Sequence, residues 1–511
     1  MASPESGRRL CYFSATWAME GKKAAAMSNE RERMSSVDTA WLRMDRPSNL
    51  MMICGVLIFR ERVAFARLKK TLADRFLRFG RFRQRPLQTP TGSYWQTDAQ
   101  FDFANHLERV ALPGRAGKAE LENFVSALAG TPLDPGRPLW QFHLIERFDG
   151  GSALVVRIHH CYADGIALIQ VMLSLTDADR AGNAAGPVPP PPSDSAADGP
   201  VSETDGPLAG ALQFARQAGA TLIEKGAAIW HEPARAVALA DQGAALSAEI
   251  VRLATMGEDS ATRFKGKPGI AKRVAWADPV PLAEVKALGR AYDCSVNDVL
   301  LSSVAGALRS YLQRQGDAVD GVTLRALVPV NLRPPEKAYK LGNRFGLVFL
   351  DLPLGIANPV ERLYAVRANM QALKGSYQPV LSLGILAAMG AGPKVLQEQL
   401  LALLARNATA VMTNVPGPQQ PLFLAGAGIA SMMFWVPQSG DLGIGVSILS
   451  YDGAVQFGVI GDRNLCPDPD LLIERFAPEL EQLVMATLLA PWPWAAPPDA
   501  RAIESALFAA R

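Results

Sequence analysis

The chain has 511 residues, 49% hydrophobic and 20% charged, which is enough apolar material for two ordinary cores and excludes a disordered or fibrous protein. A net charge of +3, with no long basic tail or aromatic-basic motif, argues against a nucleic-acid partner. Five cysteines, Cys11, Cys54, Cys161, Cys294 and Cys466, lie scattered without metal or disulfide spacing, as in a reducing cytosol. Residues 1–33 read as a disordered extension or a misassigned start, with Met27 and Met34 as alternative beginnings; Glu5, Arg8 and Arg9 precede no apolar core of signal-peptide length. The longest uncharged stretch, 407–440, is interrupted by Pro416, Pro418, Pro421 and Pro437, so no membrane-spanning helix is predicted there.

The first half, 34–182, opens with an apolar run over 51–59 that predicts a strand, followed by helical spacing over 63–79. Arg81-Phe82-Arg83-Gln84-Arg85 alternates and predicts a half-buried strand with a solvated face; binding of phosphate or an anionic membrane is the alternative. A helix is expected over 120–128 and a loop over 132–136. Alternation over 140–145 predicts an antiparallel hairpin with the apolar run 153–158, turning at Asp149-Gly150-Gly151. His159 and His160 then fall where that strand ends, with Asp164-Gly165 as turn residues before a helix. His143 lies on the opposite face from Trp140 and Phe142; together with His106 and His231 it reads as a packing or surface residue.

Residues 183–207 are rich in Pro, Gly, Ala, Ser and Asp and read as a linker. The Ala-rich helical spacing that follows, within 208–270, reads as a connecting helix; a lipid-facing surface is the alternative, disfavoured because its few charges form no basic face. A second domain is expected over 271–490, with 491–511 as a tail. Its predicted strands are 273–276, 324–330 and 347–352, with a hairpin of 443–450 and 454–460 around Asp452-Gly453. Its predicted helices are 282–292, 359–373, 395–404 and 471–488, and Thr413-Asn414-Val415-Pro416-Gly417-Pro418 reads as a polar turn. Ser295 is a candidate N-cap, with Asp298 placed for a capping box. Mixed strands and helices in both halves predict an α/β fold of two-layer mixed sheets, not a doubly wound sheet.

A neutral imidazole takes a proton from a hydroxyl near neutral pH, so a histidine held on a constrained segment is a candidate base. His159-His160, three residues, then Asp164-Gly165 is a rare pattern, expected by accident in about one in a thousand chains of this length. It resembles the HHxxxDG signature of the CoA-dependent acyltransferase superfamily, which includes chloramphenicol acetyltransferase and peptide-synthetase condensation domains. Pro138-Leu139-Trp140 resembles the PLW element, and Asn297-Asp298 the ND element, of bacterial wax ester synthase/diacylglycerol acyltransferases. Ser36-Val37-Asp38-Thr39-Ala40-Trp41-Leu42 and Pro329-Val330-Asn331-Leu332-Arg333 resemble further blocks of that family.

The resemblance implies two chloramphenicol-acetyltransferase-like domains with the site at their interface, reached by a channel from either side. It implies transfer of a long-chain acyl group from acyl-CoA to diacylglycerol or a long-chain alcohol, without a metal, a cofactor or a covalent enzyme intermediate. His160 is then the general base, His159 shapes the loop, and Asp164 holds the turn by a salt bridge to an arginine, with Arg157 as candidate. Gly165 permits a close turn, Pro138, Leu139 and Trp140 support the site, and Asn297 and Asn414 are candidate oxyanion donors. Cys161 as nucleophile is disfavoured, since a cysteine there is more commonly a small buried filler. Arg333, Lys337, Lys340 and Arg344 are candidates for CoA phosphates or simply a solvated loop. Location on the cytoplasmic face of a membrane or on lipid inclusions is expected. The alternatives are a condensation-type amide-forming enzyme, which the PLW and ND elements disfavour, and a non-catalytic lipid-surface protein.

Overall fold

The computed structural model describes residues 31–182, 249, 252–253, 255–333, 340–438 and 440–490. The expected linker, His231, Lys337, both chain ends and most of the expected connecting helix lie outside them.

Two seven-stranded mixed sheets carry the architecture. The first runs, in spatial order, Leu107–Val110, Trp140–Phe148, Gly151–His159, Met52–Phe59, Ala427–Trp435, Phe423–Leu424 and Thr176–Asp177. Gly151–His159 sits between antiparallel neighbours, Trp140–Phe148 and Met52–Phe59, and all nine of its residues are buried. This burial on both faces explains why its sequence is a continuous apolar run instead of an alternation. The hairpin feeding it turns at Asp149 and Gly150, with φ of 44° and 77°, the left-handed region that a tight two-residue turn demands.

The second sheet runs Val280–Pro281, Ala454–Asp462, Ile444–Tyr451, Ala410–Pro416, Leu324–Asn331 and Phe345–Leu352, with Lys272–Trp276 also on Ala454–Asp462. The two halves interlock. Ala427–Trp435, from the C-terminal half of the chain, pairs antiparallel with Met52–Phe59 in the first sheet. An apolar cluster joins Met52, Cys54 and Val155 to Val274, Trp276, Met433 and Trp435 across the seam. Buried Lys272 ties both sides, donating to the Ser48 carbonyl at 2.6 Å and to Asp462 Oδ2 at 2.8 Å.

Several expectations change. Arg81–Arg83 lies in a 3₁₀ turn, Gly80–Arg83, because Phe82 is driven into the core against Phe76 and Tyr162; the strand begins only at Gln84. That strand, Gln84–Thr89, forms a small sheet with Gly92–Thr97 and Arg31–Arg33. Thr413–Pro416 is not a turn but the end of strand Ala410–Pro416, paired in parallel with Ile444–Tyr451. The expected last helix is two, Pro469–Ile473 and Phe476–Leu489. A further helix, Gln378–Ala391, has no counterpart among the sequence expectations.

His143 is buried, and neither ring nitrogen has a hydrogen-bond partner, though a half-exposed Glu108 carboxylate lies 3.4 Å from Nδ1. Burial, with Arg157 adding to it, lowers its pKa to about 4. Because the unfolded chain then binds the proton more readily, stability is complete above pH 6.5 and declines as pH falls toward 4. His143→Leu is therefore expected to remove on the order of 2 kcal/mol of the stability loss between pH 7 and pH 5. Denaturant titrations at the two pH values test this; equal losses in both proteins would contradict it.

Candidate active site

The histidine strand delivers His159 as its last residue and His160 as the first beyond it. The His160 N–H donates to the Met51 carbonyl at 2.7 Å and the His159 N–H to the Leu139 carbonyl at 3.0 Å, so both neighbouring strands grip the strand end. Leu139 also donates its N–H to the Tyr162 hydroxyl at 3.0 Å, and that hydroxyl donates to the Gln84 carbonyl at 2.6 Å. Trp140 is fully buried among Phe76, Phe142 and His106, its Nε1 donating to the Phe82 carbonyl at 2.8 Å. Leu139 and Trp140 thus brace the loop from behind.

The His160 ring lies against Trp41, with centroids 4.0 Å apart and planes 20° from parallel, and near Phe345 at 5.7 Å. The residue is 4% exposed, and Nδ1 is enclosed without a hydrogen-bond partner. Burial is the main cause lowering its pKa to about 4, opposed by the charge of Asp164, so the imidazole is neutral at physiological pH. His159 differs: its Nδ1 accepts the Cys161 N–H at 3.2 Å, and its Nε2 faces Asp45 Oδ1 at 3.6 Å. An acceptor Nδ1 makes His159 a brace for the loop. Burial pushes the Cys161 thiol well above its usual value, keeping it protonated and a weak nucleophile.

Asp164 is the N-cap of helix Gly165–Leu175, its Oδ1 accepting the Ala167 N–H at 2.9 Å. Its Oδ2 accepts from Arg333 Nη2 at 2.7 Å and from the Arg344 N–H at 2.9 Å. The arginine is therefore Arg333, not Arg157. Arg157 lies within the strand and reaches Gln141 and the Thr131 carbonyl, away from the loop that carries Asp164. Arg333 is likewise not free for phosphate: it is 7% exposed and also donates to the carbonyls of Gly342 (2.7 Å) and Lys340. Nothing requires a glycine at Gly165, the first residue of that helix, since a Cβ there would meet no atom within 4 Å.

Asn297 and Asn414 pair with each other, Asn414 Nδ2 donating to Asn297 Oδ1 at 2.6 Å. This bond joins the start of helix Val296–Arg314 to strand Ala410–Pro416; neither amide is a hydrogen-bond partner of His160. Asp298 closes a capping box, its carboxylate accepting the Ser295 N–H at 2.9 Å while Ser295 Oγ accepts the Asp298 N–H at 3.2 Å. Among the residues around His160, Asn343 and Phe345 carry no local sequence signal that singles them out. Trp41 and Asp38 were visible as members of a block, without a role.

The site thus consists of a neutral, enclosed imidazole at the seam between two halves, with an ion pair and a backbone bridge closing the seam beside it. Residues 34–300 match the family model described as the wax ester synthase/diacylglycerol acyltransferase catalytic domain, and residues 341–484 match the WS/DGAT C-terminal domain. Two Mycobacterium bovis proteins named as diacylglycerol O-acyltransferases are 28% and 30% identical over 421 and 426 residues, covering 80% and 79% of this chain and 84% and 80% of theirs. The fold is shared with the wax ester synthase/diacylglycerol acyltransferase of Marinobacter aquaeolei VT8, with TM-score 0.64, 21% identity and coverage of 89% of this chain and 99% of that one. It is shared also with the starter condensation domain of rhizomide synthetase, solved with C8-CoA, with TM-score 0.54, 14% identity and coverage of 91% and 97%. With the family models spanning both halves and placing the histidine loop within the catalytic domain, the chain belongs to the wax ester synthase/diacylglycerol acyltransferase family of acyltransferases.

Proposed function

We propose that this acyltransferase moves a long-chain acyl group from acyl-CoA to the hydroxyl of diacylglycerol or of a long-chain alcohol, with His160 as general base. The observation that carries the reading is the neutral His160 ring at the seam, enclosed at Nδ1. Its Nε2 takes the hydroxyl proton as the acceptor oxygen bonds to the thioester carbonyl carbon. When the C–S bond breaks, the same imidazolium returns the proton to the departing CoA sulfur. The thioester is already activated, so the protein supplies proton transfer, alignment and exclusion of water, and the scheme calls for no metal, cofactor or covalent enzyme intermediate.

A ring that resists protonation in the resting protein needs its cationic form stabilised during the reaction. The negative charge developing on the thioester oxygen does this, and the Trp41 face adds to it. Asp164 acts on the ring only through its charge, since both its oxygens are already engaged by hydrogen bonds to other groups. We place the protein peripherally at a cytoplasmic membrane face or a lipid inclusion, where its apolar acceptor resides. Ile385, Val395 and Leu403, exposed on two helices beside the Trp41 helix, support this contact; no helix among the described residues is long and apolar enough to cross a membrane.

Free CoA release from palmitoyl-CoA is the test, with diacylglycerol, hexadecanol and a long-chain amine offered separately. Release with either alcohol and formation of the ester are expected. Amide from the amine alone would favour the condensation-type alternative, and no release with any acceptor would favour a non-catalytic lipid-surface protein.

A further inference from the structure

Helix Ser36–Met44 contains a sequence block of which the chemistry above uses only the Trp41 face. Ser35 caps it, its hydroxyl accepting the Asp38 N–H at 3.1 Å. Asp38 and Trp41, three residues apart, fall on one face of the helix, and both are buried against the histidine loop. Trp41 covers the ring of His160. Asp38 does not touch His160 directly. Its Oδ1 accepts both the Asn343 N–H at 3.1 Å and Asn343 Nδ2 at 2.8 Å, and the same Nδ2 donates to the His160 carbonyl at 2.8 Å.

We infer that this helix is the positioning element of the base: Trp41 fixes the imidazole plane, and Asp38, acting through Asn343, fixes the peptide that carries it. The His160 peptide is then held at both ends by opposite halves of the molecule, its N–H by Met51 and its carbonyl by Asn343. A carboxylate is suited to this task because it orients the amide, leaving one Nδ2 hydrogen for Asp38 and the other for His160. The bridge also makes the base depend on closure of the seam: Asn343 and Phe345 reach the ring and its peptide only when the C-terminal half is seated on the N-terminal half. Asp38, Trp41 and Asn343 are positioning residues, since each acts through His160 and need not meet a substrate. A displacement of about 1 Å in a reacting group lowers rates about 100-fold, so holding this peptide matters even with no group added to the chemistry.

The inference rests on His160 being the base, and its test separates the two. Asn343→Ala, Asp38→Asn and Trp41→Leu are each made in the full chain and in the His160→Ala background, and kcat and KM for palmitoyl-CoA are measured with hexadecanol. Each single variant is expected to lower kcat about 10- to 100-fold with KM changed less than about 3-fold. In the His160→Ala background the same substitutions should leave the residual rate unchanged, because residues acting through one group are not additive. Unchanged kcat in Asn343→Ala, or losses that multiply with that of His160→Ala, overturns the positioning role. Should Asn343→Ala fail to fold, the isosteric Asp38→Asn is judged by the same two criteria. A wild-type protein without transfer activity would instead remove the proposed function.

Discussion

Arg333→Ala is expected to be the most destabilising single substitution near the site, costing about 3–5 kcal/mol. The guanidinium and the Asp164 carboxylate are each 4% exposed in their side chains and lie 2.7 Å apart. Removing the cation leaves Asp164 as a buried anion with only two backbone donors, the N–H groups of Ala167 and Arg344. Two carbonyls, Gly342 and Lys340, lose a donor at the same time. The effect reaches beyond one contact: the Gly342 carbonyl also accepts the Asp164 N–H, and the Gly342 N–H donates to the Tyr162 carbonyl, so the arginine anchors a backbone bridge between the halves.

Arg333→Lys should recover little, because a lysine offers a point charge where a planar fork serves the carboxylate and two carbonyls together. The double variant Arg333→Met/Asp164→Asn should be more stable than Arg333→Ala, since no unpaired charge is then buried. Denaturant midpoints of the three variants and the wild type at pH 7 test the ranking. A midpoint for Arg333→Ala equal to that of the wild type would mean that the pair does not hold the loop.

Much of this arrangement can be read in the sequence where chemistry is local. The run 153–158 reads as a buried strand and Asp149-Gly150-Gly151 as the turn to its hairpin partner, because these signals concern neighbours along the chain. The capping box at Ser295 and Asp298 was legible for the same reason. Contacts between distant segments were not. Asp164 and Arg333 are 169 positions apart, and nothing in either neighbourhood selects Arg333 over Arg157. Nothing beside Asn343 in the sequence marks it; its role exists only because the fold carries it to Asp38, 305 positions away.

Helix Gln378–Ala391 is weakly marked in the sequence, since it contains Pro379 and two internal glycines, residues that by themselves suggest a break. Pro379 in fact stands in the first turn, where a helix tolerates proline. Gly390 is required by contact, since a Cβ there would lie 1.6 Å from the Ser36 carbonyl oxygen of the Trp41 helix. Phe82 likewise turned an apparent alternation into a 3₁₀ segment, because filling the core around Phe76 and Tyr162 outweighed the strand pattern.

The second large effect concerns the base itself. His160→Ala removes the one group proposed to take the hydroxyl proton, while the Asp38–Asn343 and Arg333–Asp164 contacts remain, so substrate binding should survive better than turnover. General-base catalysis contributes about 10²- to 10⁴-fold, which sets the expected loss in kcat. Folding should not suffer from loss of the imidazole charge equilibrium: its pKa is lowered by burial, so the native ring disfavours protonation, and that acid-side penalty disappears with it.

The decisive measurement is therefore steady-state CoA release by His160→Ala at pH 7, with palmitoyl-CoA and whichever alcohol the wild type esterifies, on protein whose denaturant midpoint matches the wild type. A fall in kcat of about 10²- to 10⁴-fold is predicted; turnover at the wild-type rate would show that this imidazole does not carry the proton.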